Sequence, residues 1–112
     1  MSAGVKYPFG KADVQTVTTA TTINQTVSDQ LTYLKLSANL TAATTVNITP
    51  SGVMDGAELY VEVPCGASPF NVTWGSTYVT SAGTTGVASK TKLVGFVYAS
   101  GKFVQKSEQQ IN

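Results

Sequence analysis

The sequence contains no histidine and no arginine, and its single cysteine is Cys65. Without histidine the chain cannot build a Ser-His-Asp or Cys-His catalytic arrangement, or a zinc site that depends on imidazole ligands. Cys65 cannot form an intramolecular disulfide, and no histidine is present to generate the thiolate that a nucleophilic cysteine needs. These absences predict a protein that is not an enzyme and that holds no metal or other cofactor.

Charge is also scarce, because only 12% of the residues are charged, about half of the roughly 25% that is typical of soluble domains. Seven lysines and six acids give a net charge of +1, and the lysines are scattered from Lys6 to Lys106. Nucleic-acid binding needs clustered cations, and arginine supplies the bidentate contacts to bases. The sequence therefore predicts no nucleic-acid partner.

Long apolar segments are missing as well. No run approaches the roughly 18 apolar residues of a transmembrane helix. The first ten residues lack the apolar region of a signal peptide. We therefore expect no membrane association.

Paired carboxylates are the remaining chemistry that this sequence offers to an enzyme. Glu58 and Glu62 lie four residues apart on a predicted strand, which separates them by about 13 Å. Glycosidases place their two carboxylates only about 5–9.5 Å apart. The other acids are dispersed and form no calcium-binding motif.

Threonine, serine, asparagine and glutamine take the place of the missing charge. A surface that is poor in charge and rich in threonine is typical of β-proteins that are packed into an assembly. A threonine-rich β-domain that happens to be neutral is the simpler alternative.

From Val14 onward the residues favour β-strands, because β-branched side chains pack well on a pleated surface. The clearest alternation is in the segment 57–63, where Leu59 and Val61 are predicted to face the core and Tyr60 to face outward. No helical period and no internal repeat are evident. The predicted β segments are 14–27, 31–36, 44–49, 57–63, 70–74, 77–80, 93–99 and 102–105.

Short strands separated by turn signals at roughly 8–12-residue spacing indicate a sandwich or a barrel. The predicted fold is therefore all-β, an antiparallel β-sandwich or small barrel with an extended N-terminal arm. Residues 1–12 form the predicted arm, 13–106 a single β domain, and 107–112 a polar C-terminal tail.

The arm carries the first candidate interface residues, which are Val5, Tyr7, Pro8 and Phe9. Bulky side chains on an extended segment would be exposed unless they docked on another surface. We predict that they anchor the chain to a partner, and the alternative is that the arm folds back on its own domain.

Exposed aromatic side chains suggest a second kind of site, since a sugar ring can stack on an aromatic face. The candidate pairs are Trp74 with Tyr78 and Tyr60 with Tyr98. Trp74 alternates in phase with Val72, which favours a core position. Tyr60 stands between two acids and is the better exposed candidate, equally suited to a protein interface, where tyrosine is enriched.

A pattern of turns and apolar positions runs through residues 55–104. Its elements are Gly56, the alternating Leu59, Val61 and Val63, the strand end Val72-Thr73-Trp74, and the hairpin segments Phe96-Val97-Tyr98 and Gly101-Lys102-Phe103. This stretch resembles a β-module of small phage virion proteins, including capsid decoration or head-fibre proteins and tail-fibre tips. It departs from that pattern at Phe103, where tryptophan is more common, and at Pro64-Cys65.

The resemblance implies a virion structural protein, made in the host cytoplasm and attached to the phage particle by protein–protein contacts. Its partners would be the major capsid protein or other virion proteins, with homo-oligomers or lattice-bound copies of the chain. The size and the absence of shaft repeats favour an auxiliary or decoration protein of the capsid. A tail-fibre or receptor-recognition module that binds glycans, and an unrelated β-sandwich binding module, are the alternatives.

Overall fold

The computed structural model describes residues 12–112, and within that range the chain forms nine β-strands and no helix. The prediction of an all-β fold is confirmed. The strands are β1 (Asp13–Val17), β2 (Thr22–Val27), β3 (Leu31–Leu36), β4 (Thr44–Pro50), β5 (Glu58–Pro64), β6 (Val72–Trp74), β7 (Val79–Thr80), β8 (Thr91–Ala99) and β9 (Lys102–Gln110).

The strands form a six-stranded sheet in the order β1-β3-β5-β8-β9-β7 and a three-stranded sheet in the order β2-β4-β6. From β1 to β6 the chain alternates between the two sheets, so each successive pair of strands makes one coil. The three coils stack in a solenoid-like manner, with parallel pairing within each sheet.

The predicted antiparallel arrangement is wrong for the pairs that these six strands form with one another. Among pairs of named strands it holds where β8 pairs with β5 and with β9. The physical reason is the path of the chain: parallel neighbours need a crossover connection, and here the strand in the opposite sheet supplies that crossover.

Inward side chains of successive coils stack on one another and form the core. Two rows lie in register, Ile23, Val46 and Trp74 in the three-stranded sheet and Leu34, Val61 and Val94 in the six-stranded sheet. The sheets meet where the ring of Trp74 packs edge-on against Phe96, with centroids 4.9 Å apart at an angle of 73°. Residues of both sheets therefore belong to one hydrophobic cluster.

A polar bridge closes the core at the N-terminal end of the stack. Nε2 of Gln25 donates to Oε1 of Gln15 at 2.7 Å, which links β2 to β1. Nε2 of Gln15 donates to Oδ2 of Asp13 at 2.8 Å and to the carbonyl of Thr26 at 3.3 Å. A terminal coil with a polar outer side is the usual way for a stacked fold to end.

The β8–β9 hairpin borders β5 on the side away from the first coil. Its turn places Ser100 and Gly101 at φ values of 51° and 87°, and Asp55 Oδ1 accepts a hydrogen bond from the Ser100 amide at 3.1 Å. β9 continues to Gln110, so this strand extends into the region predicted to be a polar tail. Of the predicted arm, residues 1–11 lie outside the described residues.

We predict that Thr32→Val stabilises the protein. Thr32 is 0% exposed, and its hydroxyl has no hydrogen-bond partner within residues 12–112. Burying an unpaired hydroxyl is unfavourable, so valine should raise the free energy of unfolding by about 1 kcal/mol. Urea unfolding measures the change, and Thr49→Val, at an exposed position of β4, is the matched control. A loss of stability in the Thr32 variant would show that the hydroxyl is satisfied.

Candidate functional site

The outer face of the six-stranded sheet carries a mixture of aromatic, aliphatic and charged side chains. On β5, Tyr60 alternates with the buried Leu59 and Val61 and so points away from the core. The cross-strand register places outward residues of β3, β8 and β9 beside it. We call this surface the tyrosine face, comprising Leu31, Tyr33, Glu58, Tyr60, Glu62, Leu93, Val97, Val104 and Lys106.

Two tyrosines stand side by side at its centre, because Tyr33 on β3 is in register with Tyr60 on β5. The Tyr33 hydroxyl donates to Oε2 of Glu62 at 2.5 Å. The Tyr60 hydroxyl donates to Oε1 of Glu58, also at 2.5 Å. Each phenol is thus held by a different carboxylate, which fixes the orientation of both rings.

Lys106 covers Tyr60. Its ammonium nitrogen lies 5.3 Å from the centre of the Tyr60 ring, within the range of a cation–π contact, and 3.4 Å from Oε1 of Glu58. The hydroxyl of Tyr60 and, to a smaller extent, the charge of Lys106 lower the pKa of the Glu58 carboxyl. Glu58 therefore stays ionised at neutral pH and keeps both the hydrogen bond from Tyr60 and the ion pair with Lys106.

Gly95 makes room for the Tyr60 ring. It is the β8 residue opposite Tyr60, and a Cβ at this position would lie 3.0 Å from Cε1 of Tyr60 and would overlap Oγ of Ser107. Any larger residue would push the ring away from the sheet. Glycine at this position therefore favours the close approach of the Tyr60 ring to β8.

The surroundings of Tyr33 disfavour ionisation of its phenol. Its burial, together with the hydrogen bond and the negative charge of Glu62, raises the pKa of Tyr33 to about 12. The neutral phenol is therefore favoured in the folded protein, because ionisation would break the bond to Glu62 and place two negative charges together.

The outer face of the three-stranded sheet is chemically different. Its outward positions carry neither charged nor large apolar side chains, and Nδ2 of Asn47 donates to Oδ1 of Asn24 at 2.9 Å across two strands. We call it the threonine–asparagine face, comprising Thr22, Asn24, Thr26, Thr45, Asn47, Thr49 and Thr73. Of the two outer sheet faces, only the tyrosine face therefore carries aromatic and charged side chains.

The predicted outward orientation of Tyr60 is confirmed, although the side chain is only partly exposed because Lys106 and Glu58 pack on it. Trp74 is 7% exposed and its Nε1 donates to Oγ1 of Thr84 at 3.1 Å, so its interpretation as core is also confirmed. Trp74 therefore offers no sugar platform with the exposed Tyr78.

The second predicted aromatic pair is separated by the sheet itself. Tyr98 packs against Phe103, with ring centroids 4.9 Å apart, and contacts the core. Tyr60 lies on the opposite face, so the prediction of a Tyr60–Tyr98 platform is wrong. The structure brings Tyr33 to Tyr60 instead, and the alternation within Leu31–Leu36 was the signal that Tyr33 points outward.

The four predicted interface residues of the arm, Val5, Tyr7, Pro8 and Phe9, lie outside the described residues. Within residues 12–112, no group of three or more His, Cys, Asp or Glu side chains is placed to hold a metal ion. The same part of the chain contains no helix long and apolar enough to cross a membrane. No family model and no curated protein matches the sequence.

The ionisation of Tyr33 provides a test of the site geometry. Glu62→Gln removes the charge that opposes phenolate formation, so the pKa of Tyr33 should fall from about 12, while its burial keeps it above the ordinary tyrosine value. Ultraviolet titration of tyrosinate measures this change, with circular dichroism monitoring the fold. Glu108→Gln is the control, since Glu108 pairs with Lys92 instead. Equal titration curves for both variants would contradict the Tyr33–Glu62 contact.

The raised pKa of Tyr33 also makes the free energy of unfolding depend on pH. The unfolded chain loses the Tyr33 proton near pH 10, whereas the folded chain keeps it until about pH 12. The contribution of Tyr33 to stability is therefore complete below pH 10 and is lost as the pH rises through 12.

Proposed function

We propose that this protein is a virion structural protein, an auxiliary or decoration protein attached to a phage capsid through its tyrosine face. It would stabilise the shell or extend from it. The observation that carries the proposal is the difference between the two outer faces of the molecule. One combines tyrosines, aliphatic side chains and paired charges, and the other carries only threonine and asparagine.

The composition of the tyrosine face supports docking on a protein. Tyrosine is enriched at protein interfaces, and aromatic anchors surrounded by less important contacts carry most binding energy. Val97 and Val104 lie side by side on this face, and Val104 is 37% exposed. A partner that covers this surface would therefore bury apolar area next to the two phenols.

The fixed side-chain orientations in the free protein also favour docking on a protein partner. The rings of Tyr33 and Tyr60 are already fixed by Glu62 and Glu58, so binding loses little side-chain freedom there. The Glu58 carboxylate is paired with Lys106 before any partner arrives. Glu58 therefore needs no ion partner from the shell.

The layered shape suits a shell-bound protein. The two sheets form two layers, and in this proposal the tyrosine face is turned to the shell and the uncharged threonine–asparagine face to water. Modest interfaces of this kind are strengthened when many copies bind one lattice. The arm residues Val5, Tyr7, Pro8 and Phe9 remain our prediction for a second contact, to a neighbouring subunit.

A receptor-recognition module that binds glycans is the second candidate, and one observation favours it. Tyr33 and Tyr60 are adjacent, and each lies against a carboxylate that accepts hydrogen bonds. A sugar can stack on such rings while its hydroxyls bond to Glu58 and Glu62. The aliphatic side chains Leu31, Leu93, Val97 and Val104 on the same face offer a sugar little, so we rank protein docking first.

Tyr60→Ala should weaken attachment to phage particles at least about 30-fold, corresponding to the roughly 2 kcal/mol of a central aromatic anchor. Co-sedimentation of the purified variant with particles that lack this protein measures the affinity. Thr73→Ala, on the threonine–asparagine face, is the control and should bind like the unmodified chain. Equal affinities for the two variants would exclude the tyrosine face as the docking surface.

Copy number distinguishes the two candidate functions. Quantitative mass spectrometry of purified particles should find this chain in amounts comparable with the major shell protein. A few copies per particle, with glycan binding that Tyr60→Ala abolishes, would favour the recognition module. Absence from particles would refute both virion roles.

A further inference from the structure

Among residues 12–112, the first coil has two strand edges without a partner strand, at the N-terminal end of the stack. Within residues 12–112, β1 pairs only with β3 and β2 only with β4. These edge strands are five and six residues long. Unpaired backbone groups along such edges are a template for pairing with another chain unless the edge is blunted.

The remaining sheet edges in the described part of the chain are blunted. β6 has only three residues, and Val72 exchanges backbone hydrogen bonds with Thr84 at 2.8 and 2.9 Å. β7 has two residues, and β9 carries Lys106 and Glu108 beyond its pairing with β7. In contrast, β2 has no charged residue and β1 has only Asp13. The edges of β1 and β2 therefore lack the protection that the other edges have.

The backbone orientation shows which groups are available. The carbonyl of Val17 accepts a hydrogen bond from Ser37 at 2.8 Å, on the β3 side. Backbone groups alternate along a strand, so the N–H and C=O groups of Val14 and Thr16 point to the free edge. The side chain of Gln15 reaches the carbonyl of Thr26 at this same end, as expected for an outward carbonyl of β2.

We propose that two copies of this chain associate through these edges, with β1 pairing antiparallel to β1 of the partner subunit. The two-fold axis is perpendicular to the sheets and passes beside Gln15. It places β1 against β1 of the partner subunit and brings β2 towards β2 of the partner subunit. In this register Asp13 lies opposite Val17 of the partner subunit, which keeps the two Asp13 carboxylates apart. Val14, 59% exposed, lies opposite Thr16 of the partner subunit.

A second copy fits this end better than a continuing stack. The opposite end of the molecule offers only short or charged edges, so head-to-tail addition has no matching surface. A two-fold contact uses the same surface twice and closes at two subunits. The amide hydrogens of Gln15 are already used within the subunit, so the proposed contact depends on the backbone groups of Val14 and Thr16.

The two-fold axis also fixes the relative orientation of the two tyrosine faces in the dimer. Both six-stranded sheets would lie in one layer, with their tyrosine faces turned the same way. Such a dimer would dock on a lattice through two equivalent surfaces, which multiplies the apparent affinity without new contacts. The pairing itself is independent of the proposed virion role, so each is tested separately.

Thr16→Pro tests the edge directly. Proline removes the N–H that points to the partner and leaves the hydrogen bonds to β3 in place. By light scattering after size exclusion, the full-length protein and the Thr16→Val control should be dimers and the proline variant a monomer with an unchanged circular dichroism spectrum. A monomeric unmodified protein, or a proline variant that dimerises equally well, would overturn the proposal.

A cysteine scan tests the register without relying on proline. Gln15 and its symmetry mate would form a non-hydrogen-bonded pair with Cα atoms about 4.5 Å apart, which suits a disulfide. Gln15→Cys should therefore give a covalent dimer on mild oxidation, whereas Val14→Cys should give far less, and the native Cys65 is buried. Equal cross-linking of the two variants, or none in either, would refute this pairing.

Discussion

The structure depends on the parallel register that places each inward side chain of one coil on an inward side chain of the next. Ile23, Val46 and Trp74 form one such row. A slip of a single residue in any coil would turn its apolar set to solvent and its polar set to the core. The same register sets the outer faces, since it brings Tyr33 beside Tyr60 and aligns threonine with threonine on the other side.

Strand positions were predictable because alternation is a local property. Leu59 and Val61 are inside and Tyr60 is outside, as the period of two requires. Pairing direction was not predictable, since the sequence between strands gives no sign that it crosses to a second sheet. The coils also escaped detection as a repeat, because Asp13 pairs with Thr32 while Leu31 pairs with Glu58. These unequal offsets leave no fixed period to find.

The candidate site was predictable in the same partial way. Tyr60 was identified from its own strand, but Tyr33 becomes its neighbour only through the β3–β5 pairing. Lys106 reaches Glu58 and Tyr60 from β9, beside an irregularity of the β8–β9 register at Gly95 and Phe96, which no local pattern reveals. Side-chain type and orientation were thus readable from the sequence, while the combination of residues required the tertiary register.

The hairpin of β8 and β9 affects when the chain can fold during its synthesis. Phe96 and Phe103, the largest of the fully buried side chains, both lie on it. Its strands are joined by a tight turn and can pair early, whereas each coil must wait for a partner distant in sequence. On the ribosome the coils emerge first, before Phe96 and Phe103, which complete their core. We therefore expect folding to be completed only after residue 103 has been synthesised. The hairpin is made last but forms quickly, and the coils made before it then pack against it.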